Sequence, residues 1–484
     1  MTRSSRRGKV LAALAVAALL CSSVPAYFAL QPLFGPRGGL VEDGHSNRTV
    51  PPTPATVPKV PADGSVLDNT TILPQPKRDW TVLFYVAYDN SIGPMEAWAT
   101  DLRLIAGSGD SDNVNLVALV DEEHEDDCRI VLIDGNDTSS YPLSMVNSSW
   151  GGEVDTGDPQ VLSDFLHWGV RTFPAGNVNL HFLDHGGAWM GLCIDESQGG
   201  MLDAWEVRSV LLGLRNATGR NIGLVSFDAC YMADLEFGYE ICDCADHLCG
   251  LETFATGMED PENASCTMGN WRYDIIYREL KAHPDWTPED LALQQLSCMN
   301  PIGPYVVPST GAVYLQCTDA FGAADLGRLS GFVSAFDRLS REMLSGVTGP
   351  ADDEARRQFK VDVLGHPESP PEKNTESFHG QCALTGNNPF RLYDVGDLLD
   401  RLEEYGGLLC DPETVSGVRQ LYDDMIVGCV HGENAAIGEH PHATGLELFI
   451  PSDDGKYLDQ YSATRFAIDT EWDEFLGEVQ RKPQ

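Results

Sequence analysis

The sequence predicts an α/β fold with a mostly parallel sheet and a mixed α/β extension toward its C-terminal end. Three observations carry that expectation. From Trp80 onward, apolar runs of strand length alternate with stretches of helical periodicity. Two of those runs, Val178 to Leu183 and Ile222 to Phe227, stop abruptly at small and polar residues, as buried parallel strands do where they open into loops. Hydrophobic residues make up 42% of the 484, ample for a large core.

Taken in order, residues 1–30 stand apart from the folded part. Arg3, Arg6, Arg7 and Lys9 precede an uninterrupted apolar stretch from Val10 to Leu20, and Val24-Pro25-Ala26 supplies small residues for signal cleavage. The alternative is an uncleaved membrane tether through residues 10–30, a stretch just long enough to cross a bilayer. Either way the remainder is expected outside the cytoplasm, secreted or at the cell surface. Residues 31–78 carry Pro, Thr and Gly without periodicity and read as an extended linker or propeptide. Six Asn-X-Ser/Thr sequons, at Asn47, Asn69, Asn136, Asn147, Asn216 and Asn263, suit an exported chain.

Residues 79–300 are expected to form the core. Thr81 to Ala87 is the first strand, ending at Asp89-Asn90, and a helix follows from about Pro94 to Ile105. Val114 to Val120 and Arg129 to Ile133 are strands, the second within a hairpin. Pro159 to Phe173 is a helix, with Val161, Leu162, Phe165, Trp168 and Gly169 at helical spacing and Pro174 as its stop. After the strand that leads to His185 come a helix near Ala204 to Arg215, the strand that leads to Cys230, and a helix over Tyr231 to Ile241. Leu251 to Phe254 closes the series as a strand.

Residues 301–484 form the extension. Helices are expected over Leu326 to Leu344, Val395 to Tyr405 and Thr414 to Ile426, with strands over Gly311 to Gln316 and Gly445 to Ile450. Asp352 to Lys373 is charged and Pro-rich and reads as an exposed excursion.

Charge excludes one class of function. The 73 Asp+Glu against 32 Lys+Arg leave a formal net charge of −41, which repels nucleic-acid backbones and attracts cationic ligands or metal ions. Among the 13 cysteines the densest cluster is Cys242, Cys244 and Cys249, beside His247. It lacks the paired Cys-x-x-Cys knuckles of a zinc site, so disulfides or buried thiols are the expected state and no metal ligands are assigned.

The chemistry lies at two strand ends. His185-Gly186 follows one apolar run and Asp228-Ala229-Cys230 the next, so an imidazole and a thiol can face one cleft at the C-terminal edge of the sheet. His379-Gly380 and His431-Gly432 lack that context. A thiolate is intrinsically nucleophilic, and an imidazole beside it can protonate a departing amine. The N–H groups of Gly186 and Cys230 are suited to hold an oxyanion, and a helix starting after Cys230 would favour the thiolate through its dipole. Asp228 lies on the same side of its strand as Cys230 and reads either as a carboxylate that selects a basic side chain or as a brace for the loop. Trp189 and Tyr231 are candidates for the cleft wall. Asp195-Glu196 and Glu259-Asp260 are acids that add charge to the pocket, bind calcium, or are plain surface acid. No cofactor is required by this chemistry, and calcium is left open.

The segments Trp80-Thr81-Val82 to Tyr88-Asp89-Asn90, Thr156-Gly157-Asp158-Pro159, Leu183 to Trp189, Phe227 to Ala233, Gly445 to Pro451 and Phe466 to Trp472 together resemble the clostripain family of cysteine peptidases, within the caspase, gingipain and legumain superfamily. The resemblance covers most of residues 78–477. It implies a caspase-like α/β/α sandwich, His185 and Cys230 as a catalytic dyad, cleavage after Arg or Lys with Asp228 in the specificity pocket, and activation by self-cleavage. Two departures stand out. Leu251-Glu252-Thr253 replaces the Ser-Glu-Glu frequent in relatives, leaving Glu252 and Asp260 as candidates for the far wall of the pocket. No Lys or Arg occurs between Gly186 and Val207, where some relatives are cut. The expected partners are polypeptides with Arg or Lys at the cleavage site, met by a monomer. The competing class is a peptide-binding or surface-attachment protein that keeps the fold without turnover.

Overall fold

The computed structural model describes residues 72, 74–93, 97–253, 258–259, 266–267, 271–299, 304–306, 313–315, 320–349, 352–365, 374–378, 391–432, 440–452, 455 and 457–481. The expected features of residues 1–71, together with Asp260 and His379, lie outside them. Within this set the centre is a nine-stranded sheet. Its strands are β1 (Arg78–Ala87), β2 (Val114–Asp121), β3 (Arg129–Asp134), β4 (Asp137–Tyr141), β5 (Ala175–Leu183), β6 (Ile222–Asp228), β7 (Ala245–Leu251), β8 (Phe321–Asp325) and β10 (Ile426–Val430). Leu392–Asp394, here β9, pairs separately with β11 (Glu447–Phe449).

The sheet order is β10-β8-β7-β6-β5-β1-β2-β3-β4. The five central strands, β7 to β2, run parallel. Antiparallel strands complete both edges. From β1 the chain moves outward to β2 in one direction, then returns to β5 and winds outward through β6 and β7 in the other. The reversal lies between β1 and β5, and a crevice opens at the C-terminal ends of strands flanking such a point.

Helices cover both faces because adjacent strand residues point oppositely. On β1, Phe84 meets Tyr277 edge-on at 5.3 Å while its neighbour Tyr85 packs on Phe165 at 6.0 Å. Tyr277 belongs to α5 (Tyr273–Ala282), which packs with α1 (Ala97–Ala106) and α6 (Pro288–Cys298) on one face. Phe165 belongs to α2 (Pro159–Thr172), which packs with α3 (Ala204–Thr218), itself against α4 (Leu235–Ile241), on the other. The starts of α2 and α3 follow their sequences: Asp158 caps Gln160 N–H with Pro159 in the first turn, and Asp203 and Glu206 form a reciprocal capping box. This is the expected α/β sandwich.

The chain after residue 300 is integral to it, because β8 and β10 extend the central sheet beyond β7. Helices α7 (Leu329–Thr348), α8 (Val395–Tyr405), α9 (Pro412–Met425) and α10 (Trp472–Gln480) pack on one another. The expected excursion at 352–373 is partly a correction. Asp352–Arg357 is α-helical and Gln358–Val363 continues it with a π turn. Ala355, Phe359 and Val363 recur every four residues and bury themselves, Phe359 against Phe475 at 4.8 Å.

The nine cysteines whose side chains are described, Cys128, Cys193, Cys230, Cys242, Cys244, Cys249, Cys298, Cys410 and Cys429, are free thiols. Pairing is therefore absent among them. Cys242 lies near Ser330 Oγ at 3.7 Å and Cys244 donates to the Ile241 carbonyl at 3.2 Å, each thiol having a local partner.

Candidate active site

Strands β5 and β6 bring the two sequence motifs side by side. Leu183 is in register with Asp228, and the Asp184 N–H donates to the Asp228 carbonyl at 3.3 Å. Beyond that link the two turns touch. A methyl group added to Gly186 would lie 2.3 Å from the Cys230 carbonyl oxygen and 2.8 Å from Met232 Cγ, so only glycine fits between them. The turn carrying His185 thus rests directly on the turn carrying Cys230, and both side chains are buried.

His185 is held from the other side by the turn after β1. Its Nε2 lies 3.0 Å from Ser91 Oγ, while its Nδ1 is buried with no hydrogen-bond partner among the described residues. Burial lowers the imidazole to about 4, so it is neutral at physiological pH. Asn90 builds the turn that presents Ser91. Its amide donates to the Ala87 carbonyl at 2.9 Å, to Asp184 Oδ1 at 2.7 Å and to the Ile194 carbonyl at 2.7 Å, and its Oδ1 accepts from Ile92 N–H at 2.9 Å. One side chain therefore joins the ends of β1 and β5 and the loop beyond His185. Neither Ser91 nor Asn90 was singled out as a site residue from sequence.

The segment after Cys230 differs from expectation. Helix α4 begins at Leu235, with Asp234 accepting from Phe237 N–H at 2.7 Å. Tyr231 adopts a left-handed φ of 61°. Its N–H bonds to the Thr253 carbonyl at 2.9 Å, and Ala233 N–H to that of Leu251 at 2.8 Å. These bonds to the end of β7 hold residues 230–234 as a turn across the sheet edge, so Cys230 is not at a helix N-terminus. The expected helix-dipole stabilisation of its thiolate falls with that correction.

Asp228 is buried, and Tyr273 O–H donates to its Oδ2 at 2.6 Å. A second acid feels its charge. Asp101 of α1 is buried, accepts from Tyr88 O–H at 3.1 Å, and has its carboxyl pushed well up by burial and then by the Asp228 charge. Sequence reasoning missed Asp101, although a signal was present: it stands four residues after Ala97 and four before Ile105, on the buried face of an amphipathic helix.

Two further candidates are buried. Trp189 lies 5.3 Å from Phe449 and 5.4 Å from Tyr461, edge to ring, so it packs the His185 loop on the C-terminal segment. Glu252 is fully buried, with Cys429 Sγ 3.8 Å from its Oε2, and burial followed by the Asp394 charge pushes its carboxyl well up. It meets residues of the C-terminal half. Of the other acids, Glu196 is exposed and Asp195 is buried beside Asp89 and Asp121.

The profile of the clostripain family matches residues 84–478. The chain belongs to the clostripain family. A curated relative, clostripain of Hathewaya histolytica, is 24% identical over 417 residues, covering 80% of this chain and 77% of that protein. Two solved structures share the fold. An inactive zymogen C11 protease from Parabacteroides distasonis superposes with a TM-score of 0.53 at 14% identity, covering 82% of this chain and 99% of its own. A secreted C11 cysteine protease from Bacteroides thetaiotaomicron, in complex with an irreversible peptide inhibitor, gives 0.53 at 14% identity, covering 83% and 99%. As a clostripain-family member the protein is a cysteine-type endopeptidase acting on polypeptides, and its mostly parallel sheet is that of the caspase-like fold.

Proposed function

We propose that this clostripain-family member is an exported endopeptidase that cleaves after Arg or Lys, with His185 and Cys230 as its catalytic pair. The observation that carries the reading is the contact of Gly186 with the Cys230 carbonyl, which leaves the imidazole turn and the thiol turn no separation. Cys230 sulfur attacks the scissile carbonyl, and the N–H groups of Gly186 and Cys230 hold the oxyanion. His185 takes the thiol proton and delivers it to the departing amine, and water then releases the acyl group from sulfur. The neutral state of His185 suits the first of these transfers.

Preference for a basic residue is supported by Asp228, two residues upstream of the nucleophile, and by Asp101, a second buried acid whose carboxyl is pushed up by burial and by the Asp228 charge. A guanidinium or ammonium group entering there would replace repulsion with pairing. Export is supported by the basic and apolar N-terminal segment and by the likeness to a secreted C11 protease. A membrane tether has no comparable support: among the described residues no helix is long and apolar enough to cross a membrane, and residues 10–30 lie outside them. The chemistry is that of a monomer without a required cofactor.

The test is hydrolysis of reporter amides ending in Arg, Lys or Leu. Cys230→Ala is expected to abolish turnover while leaving the fold intact, and residual turnover at the wild-type rate refutes the pair. Asp228→Asn is expected to cost about 3 kcal/mol for basic reporters and little for Leu; equal losses refute the pocket. A thiol-directed probe that labels several cysteines alike, with no hydrolysis of any reporter, would favour a peptide-binding role.

A further inference from the structure

We infer that Tyr273 is a positioning residue for substrate selection: its phenol holds the Asp228 carboxylate in the orientation and charge state that receive a basic side chain. The inference deepens the proposed function and rests on the reading of Asp228 as the acid that meets that side chain. The two residues are brought together by the fold, since 45 positions separate them in the chain.

The bond itself is short and dry. Tyr273 Oη donates to Asp228 Oδ2 at 2.6 Å, and both side chains are buried. A hydroxyl that donates to an ionised carboxylate sits at about 2.5–2.7 Å from it. Burial, and then the Asp228 charge, pushes the phenol well up, so Tyr273 keeps its proton and donates. A hydrogen bond to the charged form of an acid favours that form and fixes which way the carboxylate points. It takes up one of the roughly four lone-pair sites of a carboxylate, which leaves capacity for a guanidinium or ammonium group.

The hydroxyl is a fixed point because its ring is locked in place. The Tyr273 ring stacks on Trp271 at 6.1 Å and on Tyr277 at 6.1 Å, and it meets Phe84 edge-on at 6.2 Å and His181 at 5.4 Å. Tyr277, one turn further along α5, gives its hydroxyl to His181 at 3.0 Å from Nδ1, within the core. Of these two stacked tyrosines, Tyr273 is the one that addresses the strand end beside the nucleophile.

Asp101 shows what the bond decides. It also receives a phenol, from Tyr88, but at 3.1 Å, and its carboxyl is pushed well up by burial and then by the Asp228 charge. Where two buried acids interact, a single negative charge settles on the one with the stronger donor. The shorter bond from Tyr273 therefore keeps the charge on Asp228, two residues from Cys230, while Asp101 keeps its proton. The Asp228 backbone is held separately, by its register with Leu183 and by Asp184 N–H, which donates to its carbonyl at 3.3 Å. Loss of the phenol thus acts on the Asp228 side chain and not on the strand that carries it.

The experiment uses the full chain and reporter amides ending in Arg, Lys or Leu. Tyr273→Phe is expected to lower kcat/KM for the basic reporters about 10-fold, mainly through KM, and to cut their selectivity over the Leu reporter by a similar factor. With a donor to the charged form gone, the acid limb of the pH profile for the Arg reporter should move up by about one pH unit. A tyrosine that only packs the core would lower all three reporters alike and leave that limb in place, and this result overturns the role of Tyr273. In an Asp228→Asn background, Tyr273→Phe should change selectivity no further; an added loss there overturns action through Asp228. Should Tyr273→Phe fail to fold, the comparison of Asp228→Asn with the double variant, which leaves no buried charge without its phenol, reads the same point. Failure of the underlying pocket reading has its own signature. Equal losses for all three reporters in Asp228→Asn remove both readings, whereas selectivity lost in Asp228→Asn but kept in Tyr273→Phe removes the role of Tyr273 alone.

Discussion

Ser91 Oγ and His185 Nε2 lie 3.0 Å apart, although 94 positions separate the two residues in the chain. The contact fixes one ring nitrogen and leaves Nδ1 buried without a partner among the described residues. If Nε2 carries the hydrogen it donates to Ser91, and the lone pair on Nδ1 is then the one free to accept a proton.

Replacing Ser91 by Ala should therefore loosen the ring without touching the substrate. Turnover of a basic reporter is expected to fall about 10-fold, equivalent to about 1.4 kcal/mol, with KM nearly unchanged and recovery in Ser91→Thr. Steady-state kinetics with a pH profile decides. A rise in KM alone would place Ser91 in substrate binding instead.

Gly186→Ala tests the contact between the two turns. Because the added methyl meets a backbone carbonyl 2.3 Å away, no rotamer change relieves it. The variant should lose about 1–3 kcal/mol of stability by chemical denaturation and most of its activity. Wild-type values for both would show that the turns can part freely.

His181 provides a pH dependence separate from the site. It is wholly buried, stacked on Phe84, with Nδ1 3.0 Å from Tyr277 Oη, and burial lowers it to about 3. Unfolded, it binds a proton near pH 6.5, so its contribution to stability is complete above that value and is lost as pH falls toward 3. Over that window the free energy of unfolding should decline by up to about 1.4 kcal/mol per pH unit more in wild type than in His181→Gln. Equal slopes would show that the ring is protonated in the folded protein.

Glu447 has the opposite sign. Fully buried, with neither carboxylate oxygen hydrogen-bonded among the described residues, it is pushed well above the usual carboxylate range by burial and by the nearby Asp234 charge. Its protonated form belongs to the folded state, so stability is full below about pH 4 and declines as pH rises through the shifted value. Glu447→Gln should raise the melting midpoint more at pH 8 than at pH 5. A uniform shift at both values would mean the carboxyl does not titrate on folding.

Much of this architecture was legible from local pattern. The runs ending at His185 and Cys230 are buried on both faces, and that double burial forces a continuous apolar stretch into the sequence. Helix α8 matches its expected limits because Asp394 caps it and its apolar positions keep helical spacing. What failed was the chain after Cys230, where apolar and helix-forming residues continue but hydrogen bonds from Tyr231 and Ala233 to the end of β7 override local propensity. The surroundings of Trp189 and Glu252 were not legible for a related reason, since they come from Phe449 and Cys429, far downstream in the chain.

The linear order of residues by itself determined the parallel sheet, the family, and the strand ends that bear an imidazole and a thiol, because strand burial and turn chemistry are written in consecutive positions. Only the tertiary structure decided that Ser91 meets His185, that Asp101 joins Asp228, and that three aspartates from separate segments converge. Those relationships depend on which strands become neighbours in the sheet, and that is settled by packing over the whole core, not by any short stretch of chain.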